Sequence, residues 1–215
     1  MKQLMSLVAV VACLCSASAT AQEVADHPEV ASQIKVMDVW IQAQMKEISL
    51  PGLVIGVVHD QEVVWSQAYG QADVERNLPM QVDSIFRIAS HSKLFTSIAI
   101  LQLRDAGKLR LDDPITDHLP WFDIQNPYPE AEPIRVWNLL THSAGLPRES
   151  DHPSWTEFEF PTGEDLRETV SQQQTAYPSA TVWKYSNLGL SLAGAIVETV
   201  SGREYEEYVE TEIMA

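Results

Sequence analysis

Ser90 and Lys93 stand three residues apart in Ser90-His91-Ser92-Lys93. On a helix that spacing puts both side chains on one face, about 5–6 Å apart at Cβ, so the lysine amine can reach the serine oxygen. A desolvated lysine is more easily neutral, and a neutral amine so placed can take the hydroxyl proton that makes serine nucleophilic. Residues 94–103 are apolar on nearly every face, which predicts a buried helix carrying Ser90 at its N-terminal end. That end adds a positive field and free N–H groups, the one on Ser90 included, which can hold an oxyanion. The spacing alone is weak, because Ser32 and Lys35 repeat it midway along an amphipathic segment where solvated side chains are expected. Ser90 differs in context: a charged lysine on a buried helix is costly unless it serves a purpose.

A second set of candidates is Tyr185-Ser186-Asn187, again just before an apolar helical stretch. A tyrosine close to a lysine is drawn toward its phenolate and can act as general base or acid, while an asparagine amide can hold a substrate carbonyl. Taken singly, the tripeptide reads equally well as a helix cap with a buried tyrosine. Thr141-His142-Ser143-Ala144-Gly145-Leu146-Pro147 sets a histidine beside a serine, but neighbours in sequence rarely align as base and nucleophile, and no Gly-x-Ser-x-Gly elbow occurs. It reads as a structural turn, with His142 hydrogen-bonded rather than catalytic. The histidines 27, 59, 91, 118, 142 and 152 form no metal-binding spacing, and no glycine-rich phosphate loop occurs. No metal or other cofactor is therefore expected.

These residues need elements to position them. Val30, Ile34, Met37, Trp40, Ile41, Met45 and Ile48 recur at three- and four-residue steps, predicting one amphipathic helix over 23–48 that Pro51-Gly52 ends. Residues 53–59 and 62–69 alternate well enough for a hairpin turning at Asp60-Gln61 and ending at Gly70. Residues 71–84 read as loop, and 85–88 as a short extended approach to Ser90. Gly107 caps the helix after Ser90, residues 109–120 are loop with a stop at Pro114, 137–141 a helical turn and 145–160 a surface loop. Thr162, with Asp165 completing a capping box, opens a polar helix to about residue 174. Apolar residues 188–200 form a last core helix capped by Gly202, and the acidic run in 204–214 begins another with a solvated face. One hairpin among several helices is a strand deficit, since two strands alone are marginally stable.

The 215 residues, 45% hydrophobic and 20% charged, suffice for one sizeable core. Residues 1–21 read as a secretory signal, with Lys2, an apolar run and Ala17-Ser18-Ala19 or Ala19-Thr20-Ala21 as cleavage pattern, which places 22–215 outside the cytoplasm as a periplasmic or secreted domain. Val10-Val11-Ala12-Cys13 supports an alternative in which lipidated Cys13 anchors the protein. Both cysteines, Cys13 and Cys15, lie in the leader, so no disulfide is expected beyond it. Without Lys2 there remain 13 basic against 30 acidic residues, a formal charge of −17. Such a surface argues against nucleic acid or anionic lipid as partner, and no later stretch is apolar for long enough to span a bilayer.

Phe86-Arg87-Ile88-Ala89-Ser90-His91-Ser92-Lys93 resembles the active-serine motif of the class C β-lactamase-related family, which includes penicillin-binding D,D-peptidases and several esterases. Pro51-Gly52, the stretch 107–114, the turn 141–147 and Tyr185-Ser186-Asn187-Leu188-Gly189 resemble further family landmarks, in the family's order, so the similarity covers most of 34–214. The resemblance implies an α+β, β-lactamase/transpeptidase-like fold, an antiparallel sheet flanked by helices plus a helical domain. It implies that Ser90 is acylated, Lys93 assists its deprotonation, Tyr185 relays protons and Asn187 contacts a small-molecule or peptidoglycan-like substrate. The family's Lys-Thr-Gly or His-Thr-Gly strand, which supplies a second oxyanion donor, has no counterpart here. With the strand deficit, this leads to the expectation of a truncated fragment lacking C-terminal strands, in which losing that donor can cost about 10²–10³ in rate. The alternative class is a non-catalytic cell-wall or penicillin-binding sensor that keeps the cleft without turnover.

Overall fold

The computed structural model describes residues 20–151 and 160–215. Most of the segment expected to be a secretory signal, with Cys13 and Cys15, and part of the expected surface loop, with His152, lie outside the described residues. The chain has two compact units, Met1–Arg87 and Ile88–Ala215. The fold class is the expected α+β one, with an antiparallel sheet.

In the first unit the long helix is divided into α1 (Ala21–Asp26) and α2 (Pro28–Glu47). Pro28 explains the break: it has no N–H to donate and holds His27 extended, which suits the first turn of a helix and no interior position. Thr20 caps α1 in a reciprocal box with Glu23. Val30, Ile34, Met37, Ile41 and Met45 are the covered stripe of α2, with Ile41 only 3% exposed. Trp40, predicted on that stripe, is 61% exposed, being one helical step of about 100° away from Ile41. Ser32 and Lys35 are both exposed on this helix.

The hairpin forms as read, from β1 (Gly52–His59) and β2 (Glu62–Asp73), antiparallel with an irregularity at Val57/Val58. Asp60 and Gln61 both take positive φ, the conformation a two-residue hairpin loop requires. Gly70 does not end the second strand. With φ of +70° it bends β2, which runs on to Asp73 and pairs with β3 (Leu78–Pro79) inside the predicted loop. The Tyr69 hydroxyl donates to Asp38 at 2.6 Å and ties α2 to β2. Desolvation, followed by that carboxylate, pushes its pKa up to about 12.

In the second unit a 3₁₀ turn at Ala89–His91 leads into α3 (Ser92–Asp105). Thr96, Ala99, Ile100 and Leu103 are its buried face, whereas Leu94 is 61% exposed, so α3 is not buried all round as its composition suggested. Pro114 does not merely stop the chain. It caps α4 (Ile115–His118), since a proline fits where no N–H is required. The helical turn is α5 (Val136–Leu140). The polar helix α6 (Gly163–Val170) has the predicted Thr162–Asp165 box but ends four residues early, where Gln173 and Thr175 turn to pair with Gln125. The core helix α7 (Asn187–Ser201) ends at Gly202 in the left-handed conformation, and α8 (Tyr205–Glu212) follows with its acidic side chains exposed. One apolar cluster joins α3, α5, α7 and α8, with Ile100, Leu139, Leu192, Ile196 and Tyr208 among its members. A hydroxyl pair, Thr96 Oγ1 and Tyr205 Oη at 2.7 Å, fastens α8 to α3.

Leu192 has no exposed surface. Leu192→Ala is expected to cost about 2–5 kcal/mol in chemical denaturation, and Trp40→Ala less than about 0.5 kcal/mol. Equal losses would contradict these packing assignments.

Candidate active site

Four residues from three separated stretches of the second unit converge on one cluster. Ser90 lies in the turn before α3, Lys93 in the first turn of α3, His142 in the loop after α5, and Tyr185 immediately before α7. The approach to Ser90 is strained at Ala89, a non-glycine residue at φ 46°, which costs an L-residue about 1–2 kcal/mol. That turn presents the Ser90 side chain on the surface at the start of α3.

Ser90 Oγ and Tyr185 Oη are 2.6 Å apart, a short hydroxyl pair joining residues 95 positions apart in sequence. Lys93 Nζ donates to Ser90 Oγ at 3.2 Å and lies 5.0 Å from the centre of the Tyr185 ring. The three-residue spacing thus does what the sequence suggested, although Lys93 is half-buried rather than enclosed. Lys93 first, then the Ser90 hydrogen bond, hold the Tyr185 phenol below its ordinary range; desolvation opposes them, and the charges of Lys93 and Arg148 add to them. The Arg148 guanidinium lies 5.5 Å from the ring centre.

The cap of α7 fixes Tyr185. Ser186 is the N-cap: its Oγ accepts from Gly189 N–H at 2.9 Å and donates to Pro147 O at 2.6 Å, while Tyr185 is half-buried rather than buried. The loop after α5 clamps the same segment, since His142 O accepts from Lys184 N–H and Ser143 O from Ala180 N–H, both at 2.8 Å. His142 is hydrogen-bonded, as expected: its Nδ1 accepts from Ser186 N–H at 3.2 Å. Its ring also lies 4.5 Å from that of Tyr185, tilted by 36°.

Asn187 stands two residues after Tyr185, and its Nδ2 donates to Glu149 Oε1 at 2.8 Å, the carboxylate that also pairs with Arg148 at 3.2 Å. Arg148 and Glu149 were not singled out in the sequence. Their one signal is a pair of opposite charges directly after the Thr141 to Pro147 turn, and only the fold shows that this turn packs on Tyr185 and Asn187. Residues 144–146, assigned in part to a surface loop, are buried. Among the described residues no group of three or more His, Cys, Asp or Glu side chains could hold a metal, and no helix is long and apolar enough to cross a membrane.

The family model described as Beta-lactamase matches residues 37–215, and the chain belongs to that family. It is 32% identical over 194 residues to Beta-lactamase-like protein 2 of Dictyostelium discoideum, covering 88% of this chain and 35% of that protein. Among solved structures, the octameric penicillin-binding protein homologue from Pyrococcus abyssi is similar with a TM-score of 0.71 and 31% identity, covering 84% of this chain and 42% of that one. EstCE1, a hydrolase with promiscuous acyltransferase activity, is similar with a TM-score of 0.68 and 26% identity, covering 80% of this chain and 48% of that one. The chain spans about a third of the length of the curated relatives it matches.

Gly145 lies in the loop that carries His142, where the chain passes close to the Tyr177 backbone. It has φ +70°, and a Cβ there would lie 2.0 Å from the Tyr177 carbonyl oxygen. Gly145→Ala is expected to lower the melting temperature by roughly 4–8 °C, a loss of at least about 2 kcal/mol. A melting temperature within one degree of the parent would show that the loop accommodates a side chain there.

Proposed function

We propose that the chain is an acyl-serine hydrolase, with Ser90 the nucleophile for an amide, β-lactam or ester carbonyl. The observation that carries this is the position of Ser90 Oγ within hydrogen-bond distance of both Lys93 Nζ and Tyr185 Oη. In this reading Lys93 keeps Tyr185 close to its phenolate, and Tyr185 takes the Ser90 proton as Oγ bonds to the carbonyl carbon. The charge that develops on the carbonyl oxygen meets the N–H groups and positive field at the start of α3. Collapse breaks the C–N or C–O bond, the leaving group takes the proton from Tyr185, and water then releases the acyl group by the reverse proton path. Asn187 contacts the substrate, with Glu149 holding its amide in place.

Family membership supports the reading, as do the penicillin-binding description of one structural neighbour and the hydrolase description of another. Export through the leader, to the compartment where a peptidoglycan-like substrate would be met, belongs to the same proposal. Intact mass of protein secreted from an expressing cell, starting at Thr20 or Gln22, would support it; retention of Met1 would contradict it.

The test is covalent labelling by a fluorophosphonate and, separately, by a penicillin, with the adduct mapped by peptide mass spectrometry. An adduct on Ser90, absent in Ser90→Ala, is expected. Lys93→Gln should slow labelling about 10²–10⁴-fold. The phenolate accumulates as pH rises through the lowered pKa of Tyr185, so labelling should climb and level off before the ordinary phenol value of about 10. In Lys93→Gln that climb moves to higher pH. An adduct elsewhere, or hydrolysis unchanged in Ser90→Ala, would contradict the proposal; reversible penicillin binding with no adduct would favour the non-catalytic sensor.

A further inference from the structure

His142 takes no part in the scheme above, yet it lies directly on the segment that carries Tyr185. Its Nδ1 faces the Ser186 N–H at 3.2 Å, and its ring lies 4.5 Å from the Tyr185 ring. Because Ser186 N–H can only donate, Nδ1 must present a lone pair, and the proton of the neutral ring must sit on Nε2. The ring is carried on a left-handed residue, φ 56°, whose carbonyl accepts from Lys184 N–H, so its backbone is fixed on the same segment as its side chain. Trp183 closes a third side, edge-on at 6.1 Å.

We propose that His142 is a positioning residue for Tyr185: in its neutral form it holds Tyr185 against Ser90, and protonation at Nδ1 releases that hold. This rests on the hydrolase reading for its consequence, but not for the contact itself. A proton on Nδ1 would point at the Ser186 N–H, two donors face to face, so the imidazolium form must break the bond. Ser186 both follows Tyr185 and caps α7, so the break reaches Tyr185 on one side and Asn187 on the other.

The charged and titratable groups around the pair are Lys93 from α3, Arg148 and Glu149 from the end of the loop, and Lys184 and Tyr185 from the segment before α7. Burial first, then the charge of Lys93, hold the His142 pKa below its ordinary value, so the neutral form prevails at neutral pH. The loss of positioning therefore occurs on the acid side of the ordinary histidine range. The ordinary phenol range lies above the ordinary histidine range, and both groups are lowered, so the two steps are followed separately by their own ring signals.

The experiment follows fluorophosphonate labelling of Ser90 against pH in the full chain and in His142→Asn and His142→Phe. The Asn carboxamide oxygen can stand in for Nδ1 as acceptor without titrating; Phe keeps a ring beside Tyr185 but has no acceptor. In the parent, the labelling rate should fall by about tenfold through the His142 titration, an extra step on the slope of about one that the phenolate gives on either side of it. His142→Asn should show a slope of about one throughout and recover most of the rate that His142→Phe loses, a loss of about tenfold near neutral pH. A second measurement needs no turnover: nitrogen and carbon NMR of the parent should show the Ser186 amide and Tyr185 ring signals shifting with the His142 titration. The same acid-side step in His142→Asn, or Ser186 and Tyr185 signals indifferent to that titration, would overturn the inference. Coupled signals without Ser90 labelling would uphold His142 as the anchor of Tyr185 and sink the hydrolase reading alone.

Discussion

The 2.6 Å approach of two hydroxyls, Ser90 and Tyr185, is the constraint around which the second unit is organised. Each hydroxyl sits just ahead of a helix, and each helix start is set by a local device. Ala89 in the left-handed conformation turns the chain into α3, and the Ser186 side chain caps α7. The apolar cluster shared by α3 and α7 then fixes the distance between the two starts. A shift of one helix along the other by a single residue would move its end by about 1.5 Å, enough to break a hydroxyl pair of this length. Core packing and site geometry are therefore one problem in this unit.

The electrostatics of the cluster run against those of the chain. A protein with a formal charge of −16 gathers Lys93 and Arg148 around one phenol. Both cations favour the phenolate of Tyr185, and Lys93 also disfavours the imidazolium of His142. One pair of neighbouring rings is thus biased toward an anion on one member and neutrality on the other. Glu149 supplies the balancing negative charge and spends it on the Asn187 amide and Arg148.

The sequence made the helix starts and the chemistry-bearing residues readable because they are local. Ser90 and Lys93 obey a one-turn rule, Thr162 and Asp165 a capping rule, and Asp60-Gln61 a two-residue turn between alternating strands. What it hid is tertiary. That His142 lies on Tyr185, that Glu149 holds Asn187, and that Leu94 stays exposed on an apolar helix all depend on contacts between residues dozens of positions apart. The missed element boundaries have local causes that pattern alone underweights. Pro28 divides a helix whose apolar stripe lies wholly after it, Gly70 bends a strand without ending it, and Pro114 opens a helix in a stretch read as loop. The family resemblance succeeded where periodicity could not, because five short motifs in order carry the tertiary arrangement that no single one encodes.

The central claim is that Lys93 and Ser90 poise Tyr185 to accept a proton. It is tested most directly by titrating the Tyr185 phenol itself, with carbon-labelled tyrosine followed by NMR in the parent chain and in Lys93→Gln. The account predicts a Tyr185 pKa below the ordinary phenol value in the parent and an upward move when Lys93 is replaced. A Tyr185 that titrates like a free tyrosine, or that is unmoved by the loss of Lys93, would contradict it.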